Sequence, residues 1–210
     1  MTAGGPFFVL LGPDGAGKSS VMRRLAGLLP EWRLVSTDSA FVAPEHTMIT
    51  RLRRDLTDHL LPGLGTAYSA DFLASVLQTA VVHMRDQVHE RDPRVPVLAD
   101  SYYYKILAKC RMAGVRDTLM YDWWRSFPQP DRVVYLDVSP SSAWWRRGGG
   151  AGLNPLEYAG ETGDMAGFER YQKELRQLLL EEVCDLPVTE LPEQPSVERA
   201  VEVVREVLTS

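Results

Sequence analysis

A glycine-rich stretch near the start of the chain constrains its fold more than any other feature. It reads Gly12-Pro13-Asp14-Gly15-Ala16-Gly17-Lys18-Ser19-Ser20 and matches the pattern G-x-x-x-x-G-K-[ST] without a mismatch. The apolar run at 7–11 precedes it and predicts a buried strand, whereas apolar residues at helical spacing over 18–29 predict a helix. A strand, a glycine-rich loop and a helix in this order predict a phosphate-binding loop, or P-loop.

The residue types of this loop match what nucleotide phosphates require. Glycines let backbone N–H groups turn inward around phosphate oxygens, and the start of the following helix adds partial positive charge. Lys18 supplies a mobile cation to the β- and γ-phosphates, and the Ser19 hydroxyl is a ligand for Mg²⁺. The stretch 12–20 therefore predicts ATP and Mg²⁺ as cofactors, with Lys18 as a catalytic residue.

The rest of the chain alternates between strand and helix patterns. Predicted strands cover 33–36, 95–100, 131–138 and 187–190, and predicted helices cover 45–61, 70–91, 164–184 and 196–208. Ser139 and Pro140 predict the N-cap and first residue of one more helix. Such alternation predicts an α/β fold with a doubly wound parallel sheet of about five strands, flanked by helices, in one domain spanning 1–210.

Composition and charge exclude several classes of function. The 210 residues carry a net charge of −5, which argues against a nucleic-acid-binding surface. No apolar run approaches the roughly 20 residues that a membrane span needs, and the N-terminus does not resemble a signal peptide. The two cysteines have neither disulfide nor metal-site spacing. We therefore expect a cytoplasmic protein that binds neither nucleic acid nor membrane.

Several segments resemble one enzyme family. The tighter string G-x-D-G-A-G-K-S at 12–19 is similar to the loop of the thymidylate kinase family and its relatives among the nucleoside monophosphate kinases. Asp100-Ser101-Tyr102 resembles the family's Asp-Arg-Tyr at the end of its third strand, and Pro130-Asp131 precedes a strand that ends in Asp137. The resemblance implies a P-loop kinase with an arginine-bearing lid.

Two aspartates compete for the magnesium site. Ligands of parallel sheets bind beyond the carboxyl ends of the strands, where Asp14, Asp100 and Asp137 are all expected. The resemblance favours Asp100 as the Mg²⁺ partner and as a catalytic residue beside Asp14. Asp137 remains the alternative, because the strand before it also looks like a Walker-B strand.

A glycine-rich segment at about 146–163 is the predicted lid. Phosphoryl transfer needs positive charge on the transferring oxygens. Since Gly15 stands where some relatives carry a P-loop arginine, the resemblance implies that Arg146 or Arg147 supplies this charge, with Arg170 as a further candidate.

The acceptor site departs from the family pattern. Ser101 replaces the arginine that binds the acceptor phosphate, and residues 72–84 contain no arginine to read a thymine base. Serine cannot replace the bidentate contacts of arginine. The candidate acceptor-binding residues are Asp14, Asp38, Arg53, Arg54, Gln78, Ser101, Tyr102 and Lys105.

These patterns predict an ATP-dependent phosphotransferase whose acceptor is a nucleotide, a nucleoside or another small hydroxyl compound. The alternative is a P-loop NTPase or a nucleotide-binding regulatory module. The Asn-Lys-x-Asp sequence of GTPases and the Leu-Ser-Gly-Gly-Gln signature of transport ATPases are both missing. The apolar stripe of the helix at 70–91 is explained either by packing on the sheet or by a homodimer interface.

Overall fold

Five parallel strands form the centre of the fold. The computed structural model describes residues 5–89, 92–151, 153–160 and 163–210. Its strands lie in the spatial order β2-β3-β1-β4-β5, with bounds β1 Phe7–Leu11, β2 Arg33–Val35, β3 Val97–Asp100, β4 Arg132–Asp137 and β5 Val188–Pro192. The prediction of a doubly wound parallel sheet of about five strands is confirmed.

Strand β1 lies in the middle of the sheet and is buried throughout. Phe7, Val9 and Leu11 pack into one hydrophobic core, while Phe8 and Leu10 pack into another on the opposite face. The side chains of a strand alternate between its faces, so a strand covered on both sides must be apolar at every position. This explains why FFVLL reads as a continuous apolar run.

Helices cover both faces of the sheet. They are α1 Lys18–Leu28, α2 Thr47–Asp55, α3 Ala70–His89, α4 Tyr104–Met112, α5 Thr118–Arg125, α6 Pro140–Arg146, α7 Met165–Glu182 and α8 Val197–Thr209. The buried apolar residues of α1 and α8 belong to one core, and those of α3, α4 and α5, apart from Leu73, belong to the other. The last two residues predicted for the helix at 70–91 lie outside the described residues, as do 152, 161 and 162 of the predicted lid.

The single helix predicted over 45–61 is wrong in detail. A short 3₁₀ turn at Pro44–His46 leads into α2, and the chain then widens into a π-helical turn at Leu56–Leu60 and tightens again at Leu61–Gly63. Pro62 lacks a backbone N–H and cannot continue an α-helix, which explains the end of the segment. The widened turn places Leu60 and Leu61 in a small core with Leu73 and Leu156.

Two helices were not predicted from the sequence. Helices α4 and α5 lie between β3 and β4, where lysines and aromatic residues interrupt the apolar periodicity. The predicted cap of α6 is confirmed, because the Ser139 side chain accepts a hydrogen bond from the Ser142 N–H and Pro140 follows it. No helix in the described part of the chain combines the length and apolarity that crossing a membrane requires.

Candidate active site

The P-loop follows β1 and encloses the side chain of its own lysine. Gly17, with φ of 90°, adopts a left-handed conformation immediately before α1. The Lys18 Nζ donates hydrogen bonds to the carbonyl oxygens of Gly12 and Pro13, at 2.7 and 2.8 Å. Only 7% of the lysine is exposed. The two carbonyl oxygens hold its ammonium group inside the loop, and none of the described carboxylates pairs with it directly.

The surroundings of Lys18 lower its pKa. Burial is the largest cause of the lower pKa, and the nearby Lys105 ammonium lowers it further. The carboxylates of Asp100 and Asp14 raise the pKa, but their effect is smaller, and the pKa of Lys18 falls to about 7. A lysine in this state changes protonation readily near neutral pH. Arriving phosphates would favour the charged form.

Asp14 joins the P-loop to α4 through two lysines. Its Oδ1 lies 2.6 Å from the Lys105 Nζ, and its Oδ2 lies 2.9 Å from the Lys109 Nζ. Burial alone would raise the pKa of Asp14, but the ammonium groups of Lys105, Lys109 and Lys18 outweigh it and hold that pKa well below its usual range. The Asp14 N–H also donates to the Gln172 Oε1 on α7. Asp14 is therefore a fixed carboxylate with its charge compensated.

Asp100 lies at the carboxyl end of β3 and is oriented by two hydroxyl groups. The Ser36 Oγ donates to its Oδ2 at 3.2 Å, and the Ser101 Oγ donates to its Oδ1 at 2.9 Å. The backbone that follows is constrained, since Ser101 and Tyr102 have φ of 59° and 43°. Side-chain-bearing residues rarely adopt this left-handed region. The turn holds the Asp100 carboxylate at the edge of the cleft.

Ser19 and Asp100 fit a magnesium site of the kind found with bound nucleotides. Both line the same cleft, and Mg²⁺ in such sites uses one or two protein oxygens together with phosphate oxygens and water. The described residues contain no group of three or more His, Cys, Asp and Glu side chains that could hold a metal ion without a nucleotide. The donor set therefore suits Mg²⁺ arriving with its nucleotide.

The alternative aspartate, Asp137, is occupied by an ion pair. The Arg176 Nε and a terminal nitrogen donate to its two oxygens, both at 2.9 Å. This bidentate pairing satisfies the carboxylate and connects the end of β4 to α7. Asp137 also does not appear among the residues that line the cleft, whereas Asp100 does.

The P-loop lines a cleft of about 840 Å³. We call the part of this cleft that is lined by Arg146 and by Glu193–Val197, between β5 and α8, the nucleotide lobe. The part that is lined by residues of α2, α3 and α4 is called the acceptor lobe. Both names anticipate the function proposed below. The apolar lining residues of the acceptor lobe are called the apolar bowl, and they are Ile49, Leu52, Leu61, Leu77, Ala80 and Met84.

The predicted lid arginines face different lobes. Arg146 pairs with Glu193 at 2.8 Å, beside the nucleotide lobe. Arg147 pairs with Glu157, a carboxylate that is only 6% exposed and that also accepts from the Asn154 N–H. Both arginines line the cleft. Arg170 donates to the Ala159 carbonyl oxygen and is not among the lining residues.

The close contact between the P-loop and α6 explains why a glycine stands at position 15. A Cβ at Gly15 would lie 2.8 Å from the Ala143 carbonyl oxygen, and the residue has φ of 78°. A larger residue at this position would have to displace α6. The P-loop of this chain therefore has no room for an arginine at position 15.

The structure brings only some of the predicted acceptor-binding residues to the cleft. Asp14, Arg53, Ser101, Tyr102 and Lys105 line it. Three others do not line the cleft in this structure, and their contribution to acceptor binding stays a prediction. They are Asp38, Arg54 and Gln78.

The position of each of these three side chains away from the cleft lining has a physical reason. Asp38 accepts ion pairs from Arg23 at 3.3 Å and from Arg53 at 3.9 Å. Arg54 is exposed and lies 4.0 Å from Asp55. Consecutive helical residues point about 100° apart, so Leu77 faces the cleft and Gln78 does not.

The three tyrosines after Asp100 pack mainly into the core. Tyr102, Tyr103 and Tyr104 are all at most 2% exposed and belong to one core, and only Tyr102 borders the cleft. The hydroxyl groups of Tyr103 and Tyr104 lie within hydrogen-bonding distance of Gln129 instead. Core packing explains more of this aromatic run than ligand binding does.

Sequence reasoning missed Lys109 and Glu157. Lys109 lies one helical turn after Lys105 and on the same face of α4, so the spacing K-x-x-x-K after Asp100 was the available signal. Glu157 lies in the predicted lid, where no periodic pattern marks it. Glu157 contributes to the site through its ion pair with Arg147, which only the three-dimensional structure shows.

Solved structures show the same fold. Deoxyadenosine kinase from M. mycoides with the products dCMP and a flexible dCDP bound has a TM-score of 0.62 and 14% identity, covering 97% of this chain and 98% of that one. The same enzyme with bound dATP has a TM-score of 0.56 and 15% identity, covering 98% of this chain and 100% of that one. Thymidylate kinase from Candida albicans has a TM-score of 0.63 and 14% identity, covering 100% and 93%.

Searches against protein-family models and curated proteins gave no match. The expected resemblance is confirmed as a likeness of fold, since the structural neighbours are a thymidylate kinase and a deoxyadenosine kinase that align with nearly the whole chain. The chain has the α/β fold of these P-loop kinases.

Proposed function

We propose that this chain is an ATP-dependent phosphotransferase that moves the γ-phosphoryl group of MgATP to a small acceptor molecule. The observation that carries the proposal is the position of Lys18. Its ammonium group lies in the P-loop and lines the same cleft as Asp100 and Asp14, close enough to both for their charges to affect its pKa. A donor phosphate and an acceptor oxygen would both be near this cation.

The shape of the cleft supports transfer to an acceptor rather than simple hydrolysis. Hydrolysis needs only a positioned water molecule, whereas here the cleft continues past the P-loop into a second lobe lined by α2, α3 and α4. The structural neighbours act on nucleosides or nucleotides by name, and one of them binds dCMP and dCDP as products. A nucleoside, a nucleotide or another small hydroxyl compound is the corresponding acceptor class here.

The reaction breaks the bond between the γ-phosphorus and the β–γ bridging oxygen, and it forms a bond from that phosphorus to the acceptor oxygen. ADP leaves, and a hydroxyl acceptor also loses its proton. Lys18 and Arg147 would stabilise charge on the transferring oxygens, and Asp100 would orient the reacting group. Ser19 and Asp100 would hold Mg²⁺, which neutralises phosphate charge when bound. The predicted lid, at about 146–163, would close over the reacting groups.

The test is ADP release from MgATP against a panel of thymidylate, other nucleoside monophosphates, free nucleosides and simple alcohols. We expect acceptor-dependent ADP release that Lys18→Ala abolishes. Lys173→Ala, which changes an exposed lysine on α7, is the matched control and should keep full activity. ADP release that is independent of every acceptor would contradict transfer and indicate an NTPase, whereas ATP binding without any turnover would indicate a regulatory module.

A further inference from the structure

The acceptor lobe is polar at one end and apolar at the other. Asp14, Lys105, Lys109 and Asp100 lie at the end next to the P-loop. The opposite wall is the apolar bowl, to which α2 contributes Ile49 and Leu52 and α3 contributes Leu77, Ala80 and Met84. An acceptor that fits this lobe has its reacting oxygen at the polar end and the rest of its body in the bowl.

The residues of the apolar bowl offer no hydrogen-bonding side chain for a nucleobase edge. The polar lining residues Arg147, Asn154 and Glu157 belong to the predicted lid, where Arg147 pairs with Glu157 and the Asn154 N–H donates to the same carboxylate. The described residues of α3 that line the cleft are Val76, Leu77, Ala80 and Met84, all of which are apolar. The polar side chains on the α2 side lie at the rim of the cleft. Arg53 is more than half exposed and faces Asp38, whereas the Thr57 hydroxyl donates a hydrogen bond to the Arg53 carbonyl oxygen. A buried polar group that is left without a hydrogen-bonding partner weakens binding, so a nucleobase would bind the bowl poorly.

The bowl also offers no free aromatic face on which a base could stack. Among the described residues that line the cleft, Tyr102 is the only aromatic one. It is 1% exposed, and its ring packs against Phe7 at 5.5 Å and against Tyr103 at 5.0 Å between centroids. Phe72 of α3 stacks on Tyr68, and neither lines the cleft. The described residues of this wall therefore offer no aromatic face for recognition of a base by stacking.

We infer that the acceptor is a small alcohol, or the monophosphate of such an alcohol, whose body is an aliphatic or aryl group without a nucleobase. This inference rests on the proposed function and specifies its substrate class. The hydrocarbon body fills the bowl, and burial of its apolar surface favours binding. Its terminal oxygen lies near Asp100 and the Asp14–Lys105–Lys109 cluster. The two lysines favour an anionic monophosphate, whereas Ser101 in place of arginine favours a free hydroxyl.

The first experiment measures phosphorylation by MgATP of geraniol, 2-phenylethanol and their monophosphates, beside thymidine, deoxyadenosine and thymidylate. We expect the best apolar acceptor to exceed the best nucleoside or nucleotide at least tenfold in kcat/KM. The hydroxyl and monophosphate arms show which form is used. A nucleoside or nucleotide that equals or exceeds every apolar acceptor would overturn the inference and leave the proposed kinase function intact.

A binding measurement keeps the inference testable even when no acceptor is phosphorylated. The fluorescent probe 1-anilinonaphthalene-8-sulfonate joins an aryl body to an anion, and we expect it to bind the bowl and to be displaced by 2-phenylethyl phosphate but not by thymidylate. Leu77→Gln should weaken probe binding at least fivefold, whereas Thr79→Gln, at an exposed position of α3 that does not line the cleft, should leave it unchanged. Ala80→Asn replaces Leu77→Gln if thermal melting shows that the latter is unfolded. Failure of the probe to bind, or equal effects of the α3 variants, would refute the inference.

Discussion

Asp14 of the P-loop and Lys105 of α4 form an ion pair with 2.6 Å between Oδ1 and Nζ, and Lys109 contacts the other carboxylate oxygen at 2.9 Å. All three side chains are at most 15% exposed. The pair fixes the P-loop to α4. It also neutralises the carboxylate that the sequence places in the loop.

The first prediction concerns removal of this carboxylate. Asp14→Asn leaves two buried lysines facing each other without an anion, and breaking a buried pair in this way costs about 3–5 kcal/mol. We expect that loss in the free energy of unfolding at pH 7, measured by urea denaturation. The exposed Asp185→Asn is the control and should change stability by no more than about 0.5 kcal/mol.

The effect of Asp14→Asn should depend on pH. The folded-state pKa of Asp14 lies below its ordinary value of 3.8, so its ionised form stabilises the fold above that value and the contribution is lost as the pH falls below it. The difference between the wild type and Asp14→Asn should therefore be constant between pH 5 and pH 7 and should shrink below about pH 4. A difference that grows on acidification would contradict the ion pair.

The second prediction follows from the buried ammonium of Lys18. Its pKa of about 7 in the folded chain, against 10.5 for an ordinary lysine, means that the unfolded chain binds more protons between these values. The Lys18 contribution to stability therefore rises with pH across this window. Phosphates favour the charged form, so MgATP binding at pH 8 should take up a proton, and affinity should fall by up to about tenfold per pH unit above pH 7.

Calorimetry in buffers of different ionisation enthalpy measures this proton uptake. The observed binding enthalpy of MgATP at pH 8 should change with the buffer for the wild type. The same dependence should disappear in Lys18→Met, which has no titrating group at this position. Equal buffer dependence in both proteins would assign the proton to another group.

The P-loop was predictable from the sequence because its conformation is local. Gly17, Lys18 and the strand before them interact within a few residues, so the motif and its context suffice. The strand and helix assignments depend on periodicity in the same way, which explains the accuracy for β1 and α3. Where a helix widens into a π-helical turn, at Leu56–Leu60, the pattern alone does not reveal the change.

Relations between distant segments were harder to predict. The pairing of Arg176 with Asp137 joins residues 39 positions apart, and that of Lys105 with Asp14 joins α4 to the P-loop. Neither pairing follows from spacing within one element. The same limit applies to Gln78, because only the orientation of α3 against the cleft decides which of its faces lines the acceptor lobe.

The third prediction separates the two strand-end aspartates. Asp100→Asn should lower kcat by about a hundredfold or more, because Asp100 is the proposed metal ligand and such a group contributes several kcal/mol of transition-state stabilisation. Asp137→Asn should keep its activity and lose about 0.2–1 kcal/mol of stability, as expected for a partly exposed ion pair with Arg176. Steady-state kinetics at varied Mg²⁺, together with urea denaturation, measures both effects. Loss of activity in Asp137→Asn alone would reverse the assignment.

The fourth prediction assigns different effects to the two lid arginines. Arg147 lies with Glu157 next to the acceptor lobe, so Arg147→Ala should lower kcat by about 10²–10³-fold, the usual effect of removing a group that stabilises transition-state charge. Arg146 lies with Glu193 at the nucleotide lobe, so Arg146→Ala should mainly raise the KM for ATP. Measurement of kcat and KM for both variants tests this division, and the opposite pattern would exchange their roles.

The fifth prediction compares two glycines of the same region. Gly27 lies on the exposed face of α1, where an added Cβ meets no atom within 4 Å, so Gly27→Ala should raise the free energy of unfolding by about 0.5–1 kcal/mol. Gly15 has φ of 78°, and its Cβ would lie 2.8 Å from the Ala143 carbonyl oxygen. Gly15→Ala should lower stability by about 1–2 kcal/mol or more, since the left-handed backbone alone costs that amount. Urea denaturation of both variants measures the contrast, and an unchanged stability of Gly15→Ala would show that α6 does not pack on the P-loop in this way.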